Sequence, residues 1–247
     1  MSSPRKPDTD WNARWHDAER TTWHCAAVNE HLIKYYDRLL EGANAHRKQL
    51  NVFVPLCGKT VDMMWLKERG HHILGVELVR KALDDFVSEN KLPSTVSSVK
   101  NGDGEELTLI KAGEKSSISL FPSDLFNVDC VALGQVDAVW DRGSYVALEA
   151  EFRPRYADYM ASVVKPGGRL LMETYDYVQA EHPGPPFSTP NDEIVAAFGS
   201  NFTVEFLMKE DILKLFQETL GYKLRTFCDR GMALLVRNGH AVESGME

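Results

Sequence analysis

The stretch Asn51-Val52-Phe53-Val54-Pro55-Leu56-Cys57-Gly58-Lys59-Thr60 constrains the fold of this chain more than any other. Val52 to Val54 read as a short buried strand, Pro55 ends its pairing, and Gly58 permits a tight turn into a helix beginning near Lys59. Nineteen residues after Gly58, the apolar run Ile73-Leu74-Gly75-Val76 ends in an acid, Glu77. A strand, a glycine turn, a helix and a second strand tipped by a carboxylate describe a nucleoside-binding βαβ unit. The turn lies over the ligand at the strand's carboxyl end, and the acid takes the ribose hydroxyls. An ordinary βα turn of any α/β protein would look similar, and the stretch alone leaves that reading open.

Two phosphate-binding readings fail on particular residues. Gly58-Lys59-Thr60 resembles the end of a P-loop, but that motif needs a glycine where Phe53 stands. A dinucleotide fold uses extra glycines to admit a pyrophosphate, whereas Pro55, Leu56 and Cys57 occupy this turn. A nucleoside without phosphates fits better.

A chain of 247 residues can bury a sizeable core as a single α/β domain. Its net charge of −8, with no Lys/Arg-rich run, argues against a nucleic-acid surface. Cys25, Cys57, Cys130 and Cys228 lie far apart without paired Cys/His spacing, so neither zinc nor a disulfide framework is expected. No apolar run approaches the ~18 residues of a membrane span. No signal-like core opens the chain, and the expectation is a soluble, cytoplasmic, monomeric protein.

Residues 1–10 are polar and carry two prolines, as in a disordered tail. Trp11 and Trp15 then share one face of a helical turn, with Trp23 and His24 after a polar connection. These tryptophans fit either core filling or a lid over a cation or heterocycle. Val28, Leu32, Tyr35, Tyr36, Leu39 and Leu40 keep helical spacing up to Gly42. Further helices are expected from Val61 to Gly70 and over 79–90. His71 and His72, ahead of the second strand, read as solvent-side and not as metal ligands. Lys91 to Glu106, rich in Ser, Gly and Lys, reads as a loop or insertion.

Alternating runs at 107–110 and 117–121 around Gly113 predict a hairpin leading into the third core strand. Just past it, Asp124-Leu125 suits an adenine, the acid accepting from the exocyclic amine and the leucine packing on the ring. A turn-capping Asp124 is the equally ordinary alternative. Val136 to Trp140 form the fourth strand, with Asp141-Arg142-Gly143 at its ligand-facing end. Arg142 is a surface ion-pair partner or a substrate contact, and the freed backbone at Gly143 favours contact. A helix opened by Pro154, a Lys165-Pro166-Gly167-Gly168 turn and a fifth strand at 169–173 follow. The proline-rich loop from His182 to Phe187 is a rigid connector or a fixed platform for Phe187. Thr189-Pro190-Asn191-Asp192 caps a short helix. Two last strands, 202–208 and 232–236, flank a helix carrying Ile212, Leu215, Phe216 and Leu220. Residues 238–247 are expected to fray.

Val54-Pro55-Leu56-Cys57-Gly58-Lys59, Arg69-Gly70-His71, Gly75-Val76-Glu77, Trp140-Asp141-Arg142-Gly143, Tyr156-Ala157-Asp158 and His182-Pro183-Gly184-Pro185-Pro186-Phe187 stand in that order. Together they resemble the thiopurine S-methyltransferase family, from about Trp11 to Arg237. The resemblance implies one domain over 11–237 with an amino-terminal helical lid. Its α/β fold is the Rossmann-like class I methyltransferase architecture, a seven-stranded, mostly parallel sheet with helices on both faces. The implied cofactor is S-adenosylmethionine, with S-adenosylhomocysteine as product. Leu56 and Gly58 would lie on its methionine part, Glu77 on its ribose, Asp124 and Leu125 on its adenine, with Trp11 and Trp15 closing over it. Arg142 would face a small-molecule acceptor, with Trp23, Tyr175 and Phe187 lining that side.

The likeness departs where the family's S-Y-D-P is Thr174-Tyr175-Asp176-Tyr177, and where Arg225 and Arg230 compete for one active-site arginine. Both departures lie on the acceptor side. A low-pKa thiol or selenol would react as its anion beside Arg142, whereas an amine would need a base such as Asp141 or Asp176. Methyl transfer to sulfur is therefore the leading expectation, with N- or halide methylation on the same frame as the alternative. A regulatory protein that has lost catalysis is disfavoured by the intact Leu56, Gly58, Glu77 and Arg142.

Overall fold

A computed structural model describes residues 10–17, 24–41, 49–219 and 221–239. Helices α1 (Trp11–Trp15) and α2 (Glu30–Leu40) precede β1 (Asn51–Val54), α3 (Asp62–Glu68), β2 (His72–Glu77) and α4 (Arg80–Glu89). Then come β3 (Ser94–Lys100), β4 (Glu106–Ala112), β5 (Ile118–Pro122), α5 (Cys130–Leu133), β6 (Val136–Asp141) and α6 (Arg153–Val163). The chain closes with β7 (Val164–Tyr177), α7 (Asn191–Phe198), β8 (Phe202–Asp211), α8 (Leu213–Thr219) and β9 (Cys228–Arg237).

The strands form one sheet in the order β3-β4-β5-β2-β1-β6-β7-β9-β8. Strands β5, β2, β1, β6 and β7 are parallel, and β9 runs antiparallel to both β7 and β8. From β1 the chain winds outward through β2 to β5, then crosses back to β6 on the other side of β1. Ligands in open α/β sheets bind at such a reversal, outside the carboxyl ends of the strands.

The central strands are buried on both faces, which is why they read as apolar runs. On one face α6 and α7 pack Tyr156, Met160 and Phe198 over Phe53, Val139 and Leu170. On the other, α2, α3 and α4 pack Leu32, Leu66 and Phe86 over Val52, Trp140 and Leu171. Asn29 caps α2, its side-chain oxygen accepting from the amides of His31 (2.8 Å) and Leu32 (3.2 Å).

Several local expectations need correction. The hairpin around Gly113 is present, with Ile110 opposite Leu120, but Lys91 to Glu106 is not simply a loop. Ser94–Lys100 is β3, laddered to β4 from Ser94↔Ala112 to Lys100↔Glu106, so the sheet has two strands beyond the seven expected. Nearly every β3 side chain is exposed, so backbone pairing and not an apolar pattern forms this strand. The Lys165–Gly168 turn appears as a bulge within β7: Val136 pairs with Val164, yet Ala138 pairs with Arg169.

His71 is buried and His72 half-buried, contrary to the solvent-side expectation. His71 Nε2 lies 2.7 Å from the Tyr36 hydroxyl, and the Leu50 amide points at its Nδ1 (3.4 Å). Thr189 does not cap α7; its hydroxyl instead accepts from the Tyr175 amide and donates to the Tyr175 carbonyl, at 3.2 Å each. Leu215 is exposed, Leu220 lies outside the described residues, and Ile212 and Phe216 carry the apolar side of that segment. None of the four cysteines forms a disulfide. Among the described residues there is no metal-binding cluster, and no helix is long and apolar enough to cross a membrane.

Candidate active site

The turn leaving β1 places both Leu56 (φ 42°) and Gly58 (φ 51°) in the left-handed region. The Cys57 amide donates to the Val76 carbonyl (3.0 Å), hooking the turn over β2. Glu77, 6% exposed at the tip of β2, accepts from the Gly58 amide through Oε2 (3.0 Å) and from the Val79 amide through Oε1 (2.9 Å). Burial pushes its carboxyl up, and the amides of Val79, Gly58 and Leu78 pull the other way. One amide per oxygen leaves acceptor capacity for ligand hydroxyls.

A Cβ at Gly58 would stand 2.7 Å from Cζ2 of Trp15, so the indole occupies the space a side chain would fill. Trp15 is only 7% exposed and packs with Val79, Ala82 and Trp11. The α1 helix therefore closes on the glycine turn.

The Ser123 amide donates to the Glu77 carbonyl (3.0 Å), bringing the turn after β5 beside the tip of β2. Asp124 is exposed there, and its Oδ1 accepts from the Phe126 amide (2.8 Å), so its capping role is realised. Leu125 turns into the core. The apolar side chain left open at this end is Leu78, 53% exposed directly after Glu77. Sequence reasoning missed it; an apolar residue immediately past the acid, where the chain has already left the sheet, was its signal.

At the carboxyl end of β6, strand alternation separates residues that are neighbours in sequence. Asp141 points toward α6, where it is 1% exposed and accepts from the Ser144 amide (2.7 Å), the Tyr145 amide (3.2 Å) and the Tyr156 hydroxyl (2.6 Å). Burial pushes its pKa up against those donors. Asp141 thus closes the turn after β6, and Ser144 Oγ ties that turn to β1 by donating to the Pro55 carbonyl (2.7 Å). Asp176 also lies away from Arg142, in a small recess with Asn191 and Gly231, opposite Asp229 in the β7–β9 ladder. Burial raises its pKa, with Lys209 opposing. The two acids expected to be available as bases beside Arg142 therefore face the other side of the sheet.

Arg142 faces α2. Its Nη2 lies 2.9 Å from the Cys25 sulfur. Burial disfavours its charge, but Glu173, followed by Cys25, Tyr175 and Asp62, holds its pKa above the usual guanidinium value. Glu173, on the same face of β7, was not anticipated as a site residue. It is 2% exposed, accepts from the Tyr175 hydroxyl (2.5 Å) and Asn29 Nδ2 (3.1 Å), and sits 3.8 Å from His31 Nδ1. The alternation of Glu173 and Tyr175 inside a polar stretch was the signal available for it.

The ring of Tyr175 leans on Phe216, with centroids 5.3 Å apart. Arg230, on β9, pairs with Tyr175 of β7 and binds Glu210 (2.6 Å) and Glu30 (3.2 Å). Arg225 is exposed, and its amide donates to Glu181 (2.7 Å). The arginine brought to this face is therefore Arg230. Phe187 is buried under its own loop, its amide donating to the Val146 carbonyl (2.6 Å) and its ring against Gly184. Trp23 lies outside the described residues.

Residues 6–230 match the family model for thiopurine S-methyltransferase. The chain is 36% identical over 225 residues to thiopurine S-methyltransferase from Bordetella petrii, covering 91% of this chain and 93% of that one. To the Bos taurus enzyme of the same name it is 34% identical over 205 residues, covering 83% and 80%. Among solved structures, Burkholderia thailandensis 1,6-didemethyltoxoflavin-N1-methyltransferase, with 1,6-didemethyltoxoflavin and S-adenosylhomocysteine bound, superposes with a TM-score of 0.58. That match has 12% identity and covers 97% of this chain and 94% of the other. Magnesium protoporphyrin IX methyltransferase from Synechocystis, with S-adenosylmethionine bound, gives a TM-score of 0.57 at 13% identity over 92% and 93%. The chain belongs to the thiopurine S-methyltransferase family and is an S-adenosylmethionine-dependent methyltransferase.

Proposed function

We propose that this methyltransferase acts on the sulfur, or selenium, of a small aromatic or heterocyclic acceptor. The observation that carries the acceptor class is Arg142: a guanidinium at the ligand end of β6, on the face away from Asp141 and Asp176, within 2.9 Å of a sulfur already. A guanidinium stays charged over the working pH range and stabilises negative charge on an approaching sulfur, while disfavouring a protonated amine.

The cofactor's place fits the residues present. The left-handed turn at Leu56 and Gly58 would present main chain to the methionine part, with the Trp15 indole standing where a Gly58 Cβ would be. Glu77 would accept from the ribose hydroxyls, Leu78 and Asp124 would flank the adenine, and Trp11 and Trp15 would cover the sulfonium side. When bound, S-adenosylmethionine supplies a methyl group on a positively charged sulfur, a leaving group that needs no further activation. What the chain adds is alignment: reacting atoms held at roughly 3–3.5 Å make transfer effectively unimolecular.

The test is labelled S-adenosylmethionine against matched thiols, selenols, amines and halides, with Arg142→Ala and Arg142→Lys. Sulfur and selenium acceptors should dominate, Arg142→Ala should lower their kcat/KM by about 100-fold, and Arg142→Lys should recover part of it. Preferred methylation of amines, indifferent to Arg142→Ala, would overturn the sulfur assignment.

A further inference from the structure

Glu173 stands beside Arg142 by strand register: Asp141 pairs with Met172 in the β6–β7 ladder, and the next residue on each strand turns to the α2 face. An arginine next to a buried carboxylate ordinarily closes a two-pronged ion pair on it. Here the carboxylate is already taken. Oε1 accepts from the Tyr175 hydroxyl (2.5 Å), Oε2 accepts from Asn29 Nδ2 (3.1 Å), and His31 Nδ1 stands 3.8 Å from Oε2. Arg142 and Glu173 act on each other through charge, while Arg142 Nη2 reaches to 2.9 Å from the Cys25 sulfur.

The Asn29 side chain has one orientation open to it. Its oxygen caps α2, accepting from the amides of His31 (2.8 Å) and Leu32 (3.2 Å), so the NH2 end is the one presented to Glu173. Its backbone amide donates to Asp62 Oδ1 (2.9 Å), and Asp62, 2% exposed, accepts from Trp140 Nε1 (2.8 Å). Asn29 is thus pinned to α3 and, through Asp62, to Trp140 of β6, with its donor aimed at β7.

We infer that Asn29 is a positioning residue for methyl transfer: by occupying Glu173 Oε2 it keeps Arg142 from folding onto that carboxylate and leaves the guanidinium available to the acceptor. Burial pushes the Glu173 carboxyl up, but His31, Tyr175, Arg142 and Asn29 together hold it below the usual range, so it is an anion at neutral pH. Without the Asn29 donor, one oxygen of a buried anion loses its hydrogen bond, and a buried charge left so is strongly disfavoured. The neighbouring guanidinium can satisfy that oxygen and pair the charge at once. An arginine closed on a carboxylate is neutralised by it and attracts an approaching thiolate less.

This role rests on the sulfur-acceptor reading, and the experiment separates the two. Asn29→Ser removes the Nδ2 donor while keeping a capping oxygen for α2. A crystal structure of this variant with S-adenosylhomocysteine should show Arg142 hydrogen-bonded to Glu173 Oε2, with cofactor affinity unchanged. Assayed with S-adenosylmethionine and benzenethiol, the variant should raise KM for the thiol about tenfold while kcat changes by less than about threefold, the pattern of lost ground-state binding. Glu173→Gln in the Asn29→Ser background removes the anion that captures the arginine and should return KM to within about threefold of wild type. Damage confined to the cap would persist in that double variant. Arg142 unmoved in the crystal structure, with His31 or a water on the vacated oxygen, overturns the inference, as does a thiol KM that Glu173→Gln leaves raised. If wild type methylates no sulfur, the sulfur reading fails, and the crystal structure still decides the role of Asn29.

Discussion

Glu77 illustrates how much rests on single side chains here. Its carboxylate is both the expected ribose acceptor and the clamp on the Gly58 and Val79 amides, so the ligand-binding acid also shapes the turn it serves. Glu77→Ala should therefore weaken S-adenosylhomocysteine by ~1.5–3 kcal/mol, as expected for loss of hydrogen bonds to a charged group, and also lower the unfolding midpoint. Calorimetric titration and urea unfolding on the same sample check both effects; full affinity in the folded variant would remove Glu77 from the ribose site. At this scale the sequence revealed residue types but not directions. Asp141 and Arg142 are adjacent letters, and only the alternation of β6 sends one to Tyr156 and the other to Cys25.

Among the elements, α1 is short, five residues, and its one buried side chain is Trp15. Its contact with the turn comes from the indole lying where a Gly58 side chain would stand. Trp15→Ala should raise the cofactor's dissociation constant several-fold, since an aromatic face attracts a sulfonium by ~0.5–2 kcal/mol, while the unfolding transition stays cooperative. Tryptophan fluorescence indifferent to cofactor, with normal affinity in the variant, would leave Trp15 as packing alone. The spacing of Trp11 and Trp15 was readable as a helical face. That the face lands on Gly58 was not, because the two are more than forty residues apart in sequence. Strand β3 was missed for the opposite reason: its Ser-rich side chains are solvated on both faces, so no periodicity betrays the backbone ladder to β4.

For the molecule as a whole, the buried histidines set a direction for stability against pH. The Leu50 amide directed at His71 Nδ1 makes that nitrogen an acceptor, so Nε2 carries the proton toward Tyr36. Burial, then the charge of Arg69, lowers the His71 pKa from its ordinary 6.5. The unfolded chain takes up this proton first. Stability is then fully present above pH 6.5 and is lost as pH falls from there toward the depressed folded value. Between pH 7.5 and 5.5, wild type should lose stability with a slope of up to ~1.4 kcal/mol per pH unit from this group, and His71→Gln should flatten the profile. His24, His72 and His182 are lowered as well and tilt both proteins alike, so the difference between the two urea-unfolding series is the measurement. Identical slopes would show that His71 charges freely in the fold.

The sequence by itself determined the βαβ unit at 51–77, the order of the parallel strands' apolar runs, the hairpin around Gly113 and the family. Each is written in local periodicity or in motifs a few residues long. The tertiary structure decided what depends on alternation and long-range register: which acids share a face with Arg142, that Arg230 and not Arg225 reaches that face, that Leu78 and not Leu125 lies open beside Glu77, and that Glu173 accepts the hydrogen bond of the Tyr175 hydroxyl. A strand's side chains point to opposite sides by parity, and parity has meaning only once the neighbouring strands and helices are in place.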